Sequence, residues 1–393
     1  MLTLEHLGVL IAFAVSLLVV MLMHPQVVKF AIKRKIVDNP DFRKLQRRPI
    51  PIMGGVAVFL GLVVGLSVAG FFVNISSLLP IFLAMSIMLC VGVADDVSEL
   101  SPRLRFIIEI AMTVMMIILT KMSLNDLHGL WGYNALPLWI SVPLTVVAVV
   151  GMINAINLVD GVDGLSSGFC ILGSVGFGLL FFKAGNVPML ALSMLTMGAL
   201  LPFFFHNVFG EKSKMFIGDG GSLMMGVVMS AYVVVAINSG SSCGDYASEN
   251  GLGLVAFTLA VMSVPVFDTV RVMAMRIIRG TSPFRPDKTH LHHLFIELGF
   301  SHVGTTMSVL ILNLIVVLVW FIVFKLGASV DVQFYVVIAS SLLVTAGFYK
   351  FMRLQITHDT AIFRFAKRVS AKSHYESKKW WVFLQRIVDF KHN

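Results

Sequence analysis

Charged residues are scarce in this chain: Lys, Arg, Asp and Glu make up 13% of its 393 residues, whereas hydrophobic residues make up 57%. The mean hydropathy of +0.89 lies far above the range of soluble domains. This composition excludes an ordinary soluble enzyme. It predicts an all-α, polytopic membrane protein, most of which lies in lipid.

Cysteine is also scarce, and its placement excludes a disulfide framework. Cys90 and Cys170 lie in apolar runs, and Cys243 lies in a distant polar loop. A cleavable leader is not expected either, because the first apolar run, Leu7 to Met23, has neither a basic leader nor a small-residue cleavage site. We expect this run to be retained as a membrane span.

The net charge of +9 does not indicate nucleic-acid binding. The basic residues are spread over the loops between apolar runs, so membrane topology and anionic lipid headgroups explain them better. No nucleic-acid partner is expected.

Apolar stretches long enough to cross a bilayer predict about eleven transmembrane helices, which places the termini on opposite sides. The predicted spans are 5–23, 52–73, 78–94, 104–120, 136–153, 163–182, 187–205, 218–237, 252–271, 305–325 and 333–349.

The loops differ sharply in charge from one side to the other. All Lys and Arg residues except Lys121, Lys183 and Lys325 fall on one side. Cytoplasmic loops of membrane proteins carry the excess of basic residues, so this side and the C-terminus are predicted to be cytoplasmic and the N-terminus outside. Eight loop aspartates fall on this side as well, which predicts a site at the cytoplasmic face; they are Asp38, Asp41, Asp95, Asp96, Asp160, Asp163, Asp219 and Asp287.

Two parts are predicted: a transmembrane domain over residues 1–350 and a basic tail over 351–393. The tail interleaves aromatic residues with Lys and Arg. This pattern is compatible with an amphipathic helix at the membrane surface, and a disordered basic tail is the alternative.

Asp95 and Asp96 end the third predicted span, where adjacent helical residues point about 100° apart. The pair could therefore address a metal and a second group separately. The alternative is a solvated helix end, with the acids balanced by Arg103 and Arg105.

The segment from Asn154 to Gly164 is the most specific motif in the chain. Asn154, Asn157 and Asp160 repeat at i, i+3 on one helical face, and glycines next to the acids allow close approach of a ligand. A glycine-rich turn with Asx helix caps is the alternative.

Phe216 to Ser222 places Asp219 among glycines before the eighth span. Backbone N–H groups at a helix start bind anions, and Asp219 could hold a metal that bridges phosphates. Phe216 could stack on a base or simply pack. The alternative for Asp219 is a helix N-cap.

The last motif is a basic loop that contains three histidines. No Cys or acidic partners lie at structural-zinc spacing, so the cluster is more typical of diphosphate binding than of zinc binding. Its members are Arg279, Arg285, Lys288, His290, His292 and His293.

The first basic loop, with Lys44, either determines topology by contacting anionic lipid or contacts phosphate.

Carboxylates, amides and cations at one membrane face are what magnesium-dependent phosphoryl transfer requires. The five motifs in this order resemble those of the bacterial polyprenyl-phosphate N-acetylhexosamine-1-phosphate transferases of the WecA/TagO type, which are relatives of the translocase MraY. The resemblance extends from Asp38 to His293. It implies transfer of HexNAc-1-phosphate, GlcNAc-1-phosphate being the expected group, from a UDP-sugar to undecaprenyl phosphate at the inner leaflet of the bacterial plasma membrane, with release of UMP.

The resemblance also implies the cofactor and the site residues. Magnesium, or alternatively manganese, would be held by Asp219, Asn157, Asp95 and Asp96. The catalytic residues would be Asp95, Asp96, Asp160 and Asp163. The nucleotide and sugar would meet Asn154, Asn157, Gly161, Asp163 and Phe216. The phosphates would meet Arg279, Lys288, His290, His292, His293 and Lys44.

The sequence is compatible with several other functions. An MraY-like transfer of a peptide-bearing sugar, an ion-coupled transporter and a lipid-binding scaffold compete with this prediction, and a homodimer is compatible with the sequence. Gln46 stands where the family commonly has His, so that position cannot become cationic.

Overall fold

The computed structural model describes residues 3–39, 49–283 and 288–390, which form a helical bundle with one two-stranded hairpin. The helices are α1 (Leu4–Arg34), α2 (Gly54–Ala69), α3 (Leu79–Ser98), α4 (Pro102–Thr120), α5 (Leu138–Leu158), α6 (Leu165–Lys183), α7 (Val187–Phe209), α8 (Gly218–Ile237), α9 (Ser242–Asn250), α10 (Leu254–Val261), α11 (Ser263–Ile278), α12 (Leu291–Glu297), α13 (His302–Lys325), α14 (Val330–Leu342), α15 (Phe348–Thr357), α16 (Ala361–Ala371) and α17 (Lys379–Asp389); the strands are β1 (Val37–Asp38) and β2 (Ile50–Pro51).

The centre of the bundle is α8, which is almost entirely buried among α2, α3 and α5. Glycines at the crossings allow neighbouring backbones to approach closely. A Cβ atom added to Gly55 would lie 2.4 Å from Gly221 Cα, and one added to Gly92 would lie 2.3 Å from the Gly220 nitrogen. The packing therefore draws the ends of α2 and α3 against the first turn of α8.

The prediction of an all-α polytopic membrane protein is confirmed. Within the described ranges, eight helical segments are long and apolar enough to span a membrane, and a ninth is formed if the bent pair α10 and α11 counts as one span. The predicted spans 52–73 and 104–120 coincide with α2, which has only 16 residues, and with α4, which carries three charged residues, Arg103, Arg105 and Glu109. The count of eleven stays a prediction.

The predicted span 252–271 is a broken helix, bent by 78° between α10 and α11. Pro265 cannot donate a backbone hydrogen bond, so the helix is interrupted just before it. Asn313 on α13 satisfies the freed groups: its Oδ1 accepts from the Val264 nitrogen at 3.0 Å, and its Nδ2 donates to the Val261 carbonyl at 2.9 Å. A buried amide thus makes a break tolerable at membrane depth.

The hairpin β1–β2 holds the start of α2 against the segment that precedes α8. Phe216 donates its backbone N–H to the Pro51 carbonyl at 2.8 Å, and Gly54 donates to the Phe216 carbonyl at 2.9 Å. These bonds fix the loop that carries Phe216 before α8 begins.

The chain ends in a helical segment attached to the bundle. A π-helical turn, Leu343–Gly347, joins α14 to α15, and α16 and α17 follow. The predicted boundary near residue 350 falls inside α15. Insertion of α16 and α17 into lipid headgroups stays a prediction.

Candidate active site

A cavity of about 700 Å³ lies where several helix ends meet. Residues from the end of α3, the α5–α6 loop, the start of α8 and α12 line it. Of the sequence-predicted site residues, those that line it are Asp96, Asp160, Gly161, Asp163, Phe216, Asp219, Lys288 and His293. The motifs that the sequence separates by up to two hundred residues therefore share one cavity.

Asp96, on α3, accepts hydrogen bonds from the backbone of the first turn of α8. Its Oδ1 accepts the Asp219 backbone N–H at 3.1 Å, and its Oδ2 accepts that of Gly220 at 3.4 Å. Gly218 adopts φ +73°, and a Cβ there would lie 2.6 Å from Asp96 Oδ2. The turn can accommodate the carboxylate only because residue 218 is glycine.

Asn157 orients the carboxylate of Asp219. Its Nδ2 donates to Asp219 Oδ1 at 2.7 Å and also lies 2.9 Å from Ser222 Oγ. Both contacts join the end of α5 to the first turn of α8. The predicted association of Asn157 with Asp219 is thus present as a direct hydrogen bond.

Asp95 and Asp96 face different neighbours, as the angle between adjacent helical residues predicts. Asp95 Oδ1 accepts the Leu100 N–H at 2.7 Å, and its Oδ2 accepts from Arg105 Nη1 at 3.0 Å. Asp95 does not line the cavity. The balancing role of Arg105 that the sequence suggested is present for Asp95.

Asn154 lies one helical turn before Asn157 and is turned toward α4. Its Nδ2 donates to Glu109 Oε2 at 2.6 Å and to the Val150 carbonyl at 2.9 Å. The buried Glu109 also lies 3.7 Å from Arg105 Nε. Asn154 is therefore tied to the ion pairs that support Asp95, and it does not line the cavity.

Asp160 carries the clearest electrostatic signature in the cavity. Burial raises its pKa well above the ordinary range, the charges of Asp219, Asp96 and Asp163 raise it further, and the Ser166 hydroxyl, which donates to Asp160 Oδ1, partly offsets them. Converging carboxylates of this kind favour a bound cation.

The carboxylates of the cavity are suitable ligands for magnesium only if the ion also binds other groups. Within the described part of the chain, no three His, Cys, Asp or Glu side chains form a ready-made metal shell. Magnesium usually takes one or two carboxylates and completes its shell with water and substrate phosphates. Asp219, beside Asp96 and Asp160, suits a metal that binds together with a phosphate ligand.

Asp163 is the second buried carboxylate of the α5–α6 loop, and it is held between Lys214 and His302. Lys214 Nζ donates to its Oδ2 at 2.5 Å, and His302 Nδ1 lies 2.9 Å from the same oxygen. Burial opposes ionisation, but His302 and Lys214 outweigh it and lower the pKa of Asp163. Its Oδ1 is buried and has no hydrogen-bond partner among the described residues. Because Asp163 lines the cavity, an ionised carboxylate borders the space where a ligand would bind.

The histidines of the last motif differ in position and surroundings. Burial, with the neighbouring His293 and His290, lowers the pKa of His292 to about 3. A Cβ added to Gly161 would lie 3.0 Å from His292 Nε2, so the ring packs directly against the α5–α6 loop. His292 is therefore a neutral group at neutral pH, whereas His293 lines the cavity.

His290 lies behind the cavity in a buried ion network. Asp268 Oδ1 accepts from Arg271 Nη2 at 2.6 Å, and Asp268 Oδ2 lies 2.9 Å from His290 Nδ1 and accepts the Leu291 N–H at 3.2 Å. Arg271 also stacks on Tyr349, 4.0 Å from the ring centre. This network fixes the start of α12, which carries the histidines, onto α11.

Asp268→Asn is expected to lower the free energy of unfolding by about 3–5 kcal/mol, because it leaves the buried Arg271 without a counter-charge. Thermal and denaturant unfolding of the purified protein in detergent measures the loss. Asp359→Asn is the matched control, since Asp359 pairs with Arg364 at an exposed surface; little change is expected there. Equal stability of the two variants would contradict the role of the network.

The remaining predicted phosphate ligands are scattered. Arg279 follows the last residue of α11, is exposed and does not line the cavity. Lys288 lines it from the start of the histidine loop. Lys44 lies outside the described residues.

Sequence reasoning missed Lys214 and His302, the two side chains that contact Asp163. Each is a single basic residue in a loop or at a helix start, with no repeat or motif around it. The only sequence signal was their position on the basic side of the predicted topology.

The chain is similar in sequence to known proteins along most of its length. Residues 78–237 match the family described as Glycosyl transferase family 4. A "Probable undecaprenyl-phosphate N-acetylglucosaminyl 1-phosphate transferase" of Bacillus subtilis (strain 168) is 34% identical over 78% of this chain and 82% of that protein.

Two further relatives bear the name "Undecaprenyl-phosphate alpha-N-acetylglucosaminyl 1-phosphate transferase". The protein of Haemophilus influenzae is 33% identical over 68% of this chain and 73% of its own length. That of Salmonella typhi is 28% identical over 70% and 72%, respectively.

Proposed function

We propose that this chain, which belongs to the polyprenyl-phosphate N-acetylhexosamine-1-phosphate transferases of glycosyl transferase family 4, transfers GlcNAc-1-phosphate from UDP-GlcNAc to undecaprenyl phosphate. The products are UMP and a lipid-linked diphosphate sugar, which would initiate synthesis of a cell-surface polysaccharide. One observation carries the proposal: Asp96, Asp160 and Asp219 line the same cavity. Lys288 and Asp163, which is paired with Lys214, line that cavity as well. The names of the relatives supply the substrates.

Magnesium is the proposed cofactor, with manganese as a substitute. Asp219, oriented by Asn157, would hold it with help from Asp96. When bound, the ion would neutralise charge on the donor diphosphate and on the departing UMP. Asp95, which is paired with Arg105 and lies outside the cavity lining, would support Asp96 from the neighbouring position on α3.

The acceptor is already a nucleophile at neutral pH, because a phosphate monoester has a second pKa near 6. An acceptor phosphate oxygen would form a bond to the sugar-bearing phosphorus of the donor, and the bond from that phosphorus to the bridging oxygen would break, releasing UMP. No strong general base is needed. We propose that Asp95 and Asp96 mainly organise magnesium and the acceptor, rather than forming a covalent phosphosugar intermediate. Isolation of a sugar-phosphate adduct on Asp95 or Asp96, from protein and donor alone, would overturn this mechanism.

The nucleotide would bind at the end of the cavity formed by Gly161, Asp163 and Phe216. The Asp163 carboxylate, which lines the cavity, would accept a hydrogen bond from the ligand, and Phe216 offers an aromatic wall. Lys288 and His293 lie at the same cavity and would contact the diphosphate and sugar.

The reaction is proposed to occur at the cytoplasmic leaflet of the plasma membrane, with the N-terminus outside. The support is the basic charge of the loops that meet at the cavity. The isoprenoid would enter sideways from lipid. Membrane lipid is thus a partner as well as a solvent.

The test is a reconstituted assay with purified protein, undecaprenyl phosphate, magnesium and a panel of UDP-sugars that includes UDP-GlcNAc, UDP-GalNAc and a peptide-bearing UDP-MurNAc. UMP release and the lipid product are measured. We expect UDP-GlcNAc to be the preferred donor, and chelation of the metal to stop release until magnesium or manganese is restored. Release without acceptor is the control for hydrolysis. No release with any sugar would overturn the proposal, and preference for the peptide-bearing donor would assign the MraY-like reaction instead.

A further inference from the structure

We propose that the C-terminal segment, residues 361–389, positions the nucleotide end of the cavity by holding in place the two residues that contact Asp163. The segment contributes no residue to the cavity lining. It contacts the chain immediately before Lys214 and immediately before His302. This inference rests on the proposed function only for the identity of the nucleotide.

The first contact is made by Asp389, at the end of α17. Its carboxylate accepts the backbone N–H groups of Glu211 at 3.1 Å, Lys212 at 3.2 Å and Ser213 at 2.9 Å. Three consecutive backbone donors on one carboxylate fix the loop between α7 and α8. The next residue, Lys214, reaches Asp163.

Apolar packing supports this contact. Trp381 on α17 is buried, with its ring centre 4.7 Å from that of Phe209 at the end of α7. Gln385 also donates to Glu211 Oε2 at 3.0 Å. Because the loop follows directly after Phe209, α17 holds it at both its start and its middle.

The second contact is made by Ser373, just beyond α16. Ser373 Oγ accepts the Ser301 backbone N–H at 3.0 Å, and the Ser301 hydroxyl donates to the Ser373 carbonyl at 2.5 Å. Ser301 is the N-cap of α13, and the following residue is His302. The pair therefore fixes the start of the helix that brings His302 to Asp163.

Both contacts converge on a single oxygen atom. Lys214 Nζ and His302 Nδ1 lie 2.5 and 2.9 Å from Asp163 Oδ2, whereas the buried Oδ1 has no partner in the described ranges. Lys214 and His302 thus fix the orientation of a carboxylate that lines the cavity. Residues 361–389 line no part of the cavity, so in this proposal they act on the ligand through this pair.

The contact at Asp389 is not a pH switch in the range where the enzyme can be assayed. Burial opposes its ionisation, but the hydrogen bonds from Ser213, Lys212 and Glu211 outweigh that effect and lower its pKa. A carboxyl with a depressed folded-state pKa contributes stability above its unfolded pKa and loses it only as the pH falls further. Asp389 therefore stays ionised at neutral pH.

The test compares Asp389→Ala with wild type in the reconstituted assay. We expect the KM for the UDP-sugar to rise about tenfold, with kcat and the KM for undecaprenyl phosphate nearly unchanged. Asp389→Asn keeps one acceptor oxygen and should recover part of the loss. Asp359→Asn, at an exposed ion pair beside α16, is the matched control and should behave as wild type. An unchanged donor KM in Asp389→Ala would overturn the proposal, and so would an equal loss in kcat and in both KM values.

A double-mutant cycle identifies the route of the effect. If Asp389 acts through Lys214, the donor KM of Asp389→Ala combined with Lys214→Met should equal that of Lys214→Met alone. Additive effects would overturn the route through Lys214. Ser373→Ala, which tests the route through His302, is the second variant if Asp389→Ala fails to fold.

A further measurement needs no turnover and separates this proposal from the proposed function. Lys214 paired with Asp163 should react slowly with an amine reagent, and Asp389→Ala should increase its labelling, as followed by mass spectrometry. Unchanged labelling would overturn the positioning role even in an active enzyme. Increased labelling in a protein that releases no UMP would overturn the proposed function and support the positioning of Lys214.

Discussion

Asp219→Asn is expected to lower turnover by more than about a thousandfold at any practical magnesium concentration. Asp219 lies in the first turn of the most buried helix, and its Oδ1 is already fixed by Asn157 at 2.7 Å. Asparagine would keep the shape but remove the charge that magnesium requires of its ligand. The loss should therefore appear in kcat and should not be restored by raising the metal concentration.

The measurement is UMP release over a magnesium series, with thermal unfolding to verify that the variant is folded. Asp245→Asn is the matched control, because Asp245 is an exposed acid in the first turn of α9. It should keep wild-type turnover. Near-normal activity of Asp219→Asn would remove Asp219 from the metal site and leave Asp96 and Asp160 as the candidate metal ligands beside it.

Much of this site could be predicted from the sequence because acids are rare in so apolar a chain. Asp96, Asp160 and Asp219 each follow or precede a long apolar run, so each had to lie at a helix end. The hydrogen bond between Asn157 and Asp219 joins two motifs that stand out separately in the sequence. The Lys and Arg content of the loops was sufficient to predict that these three aspartates share the cytoplasmic face of the membrane.

The partners of Asp163 could not be predicted in the same way. Lys214 and His302 are separated from it by 51 and 139 residues in sequence. Their contact depends on how the ends of α6, α7 and α13 pack, and a single Lys or His in a basic loop carries no pattern that reports such packing. For the same reason, the sequence indicated an amphipathic tail but not the bonds from Asp389 to the loop before Lys214.

Helix shape was the other feature that hydropathy did not reveal. The stretch 252–271 has the composition of one span, yet it bends by 78° after α10. The break depends on Pro265 together with the amide of Asn313, which lies in a different helix and satisfies the groups that the break exposes. A hydropathy window counts apolar residues and does not register a partner so far away in the chain.

Gly92→Ala is expected to lower kcat by about a hundredfold, although Gly92 contacts no ligand. A Cβ at this position would lie 2.3 Å from the Gly220 nitrogen and 2.4 Å from the Asp219 carbonyl carbon. Both are backbone atoms, so α3 would have to move away from α8. A displacement of about 1 Å at a reacting centre can cost about a hundredfold in rate.

The movement would separate the two halves of the proposed metal site. Gly92 lies one turn before Asp96 on α3, and Asp96 accepts the backbone N–H groups of Asp219 and Gly220 at 3.1 and 3.4 Å. Any increase in the distance between α3 and α8 lengthens these bonds first. Turnover should therefore fall more than thermal stability does.

Gly151→Ala is the matched control for this prediction. Gly151 lies within α5, and a Cβ there would meet no atom within 4 Å. Alanine is also the better helix former, so Gly151→Ala should keep wild-type kcat and stability. If Gly92→Ala were as active as Gly151→Ala, the close approach of α3 to α8 would not determine the geometry of the site, and Asp96 would have to act on the reaction without depending on its bonds to the first turn of α8.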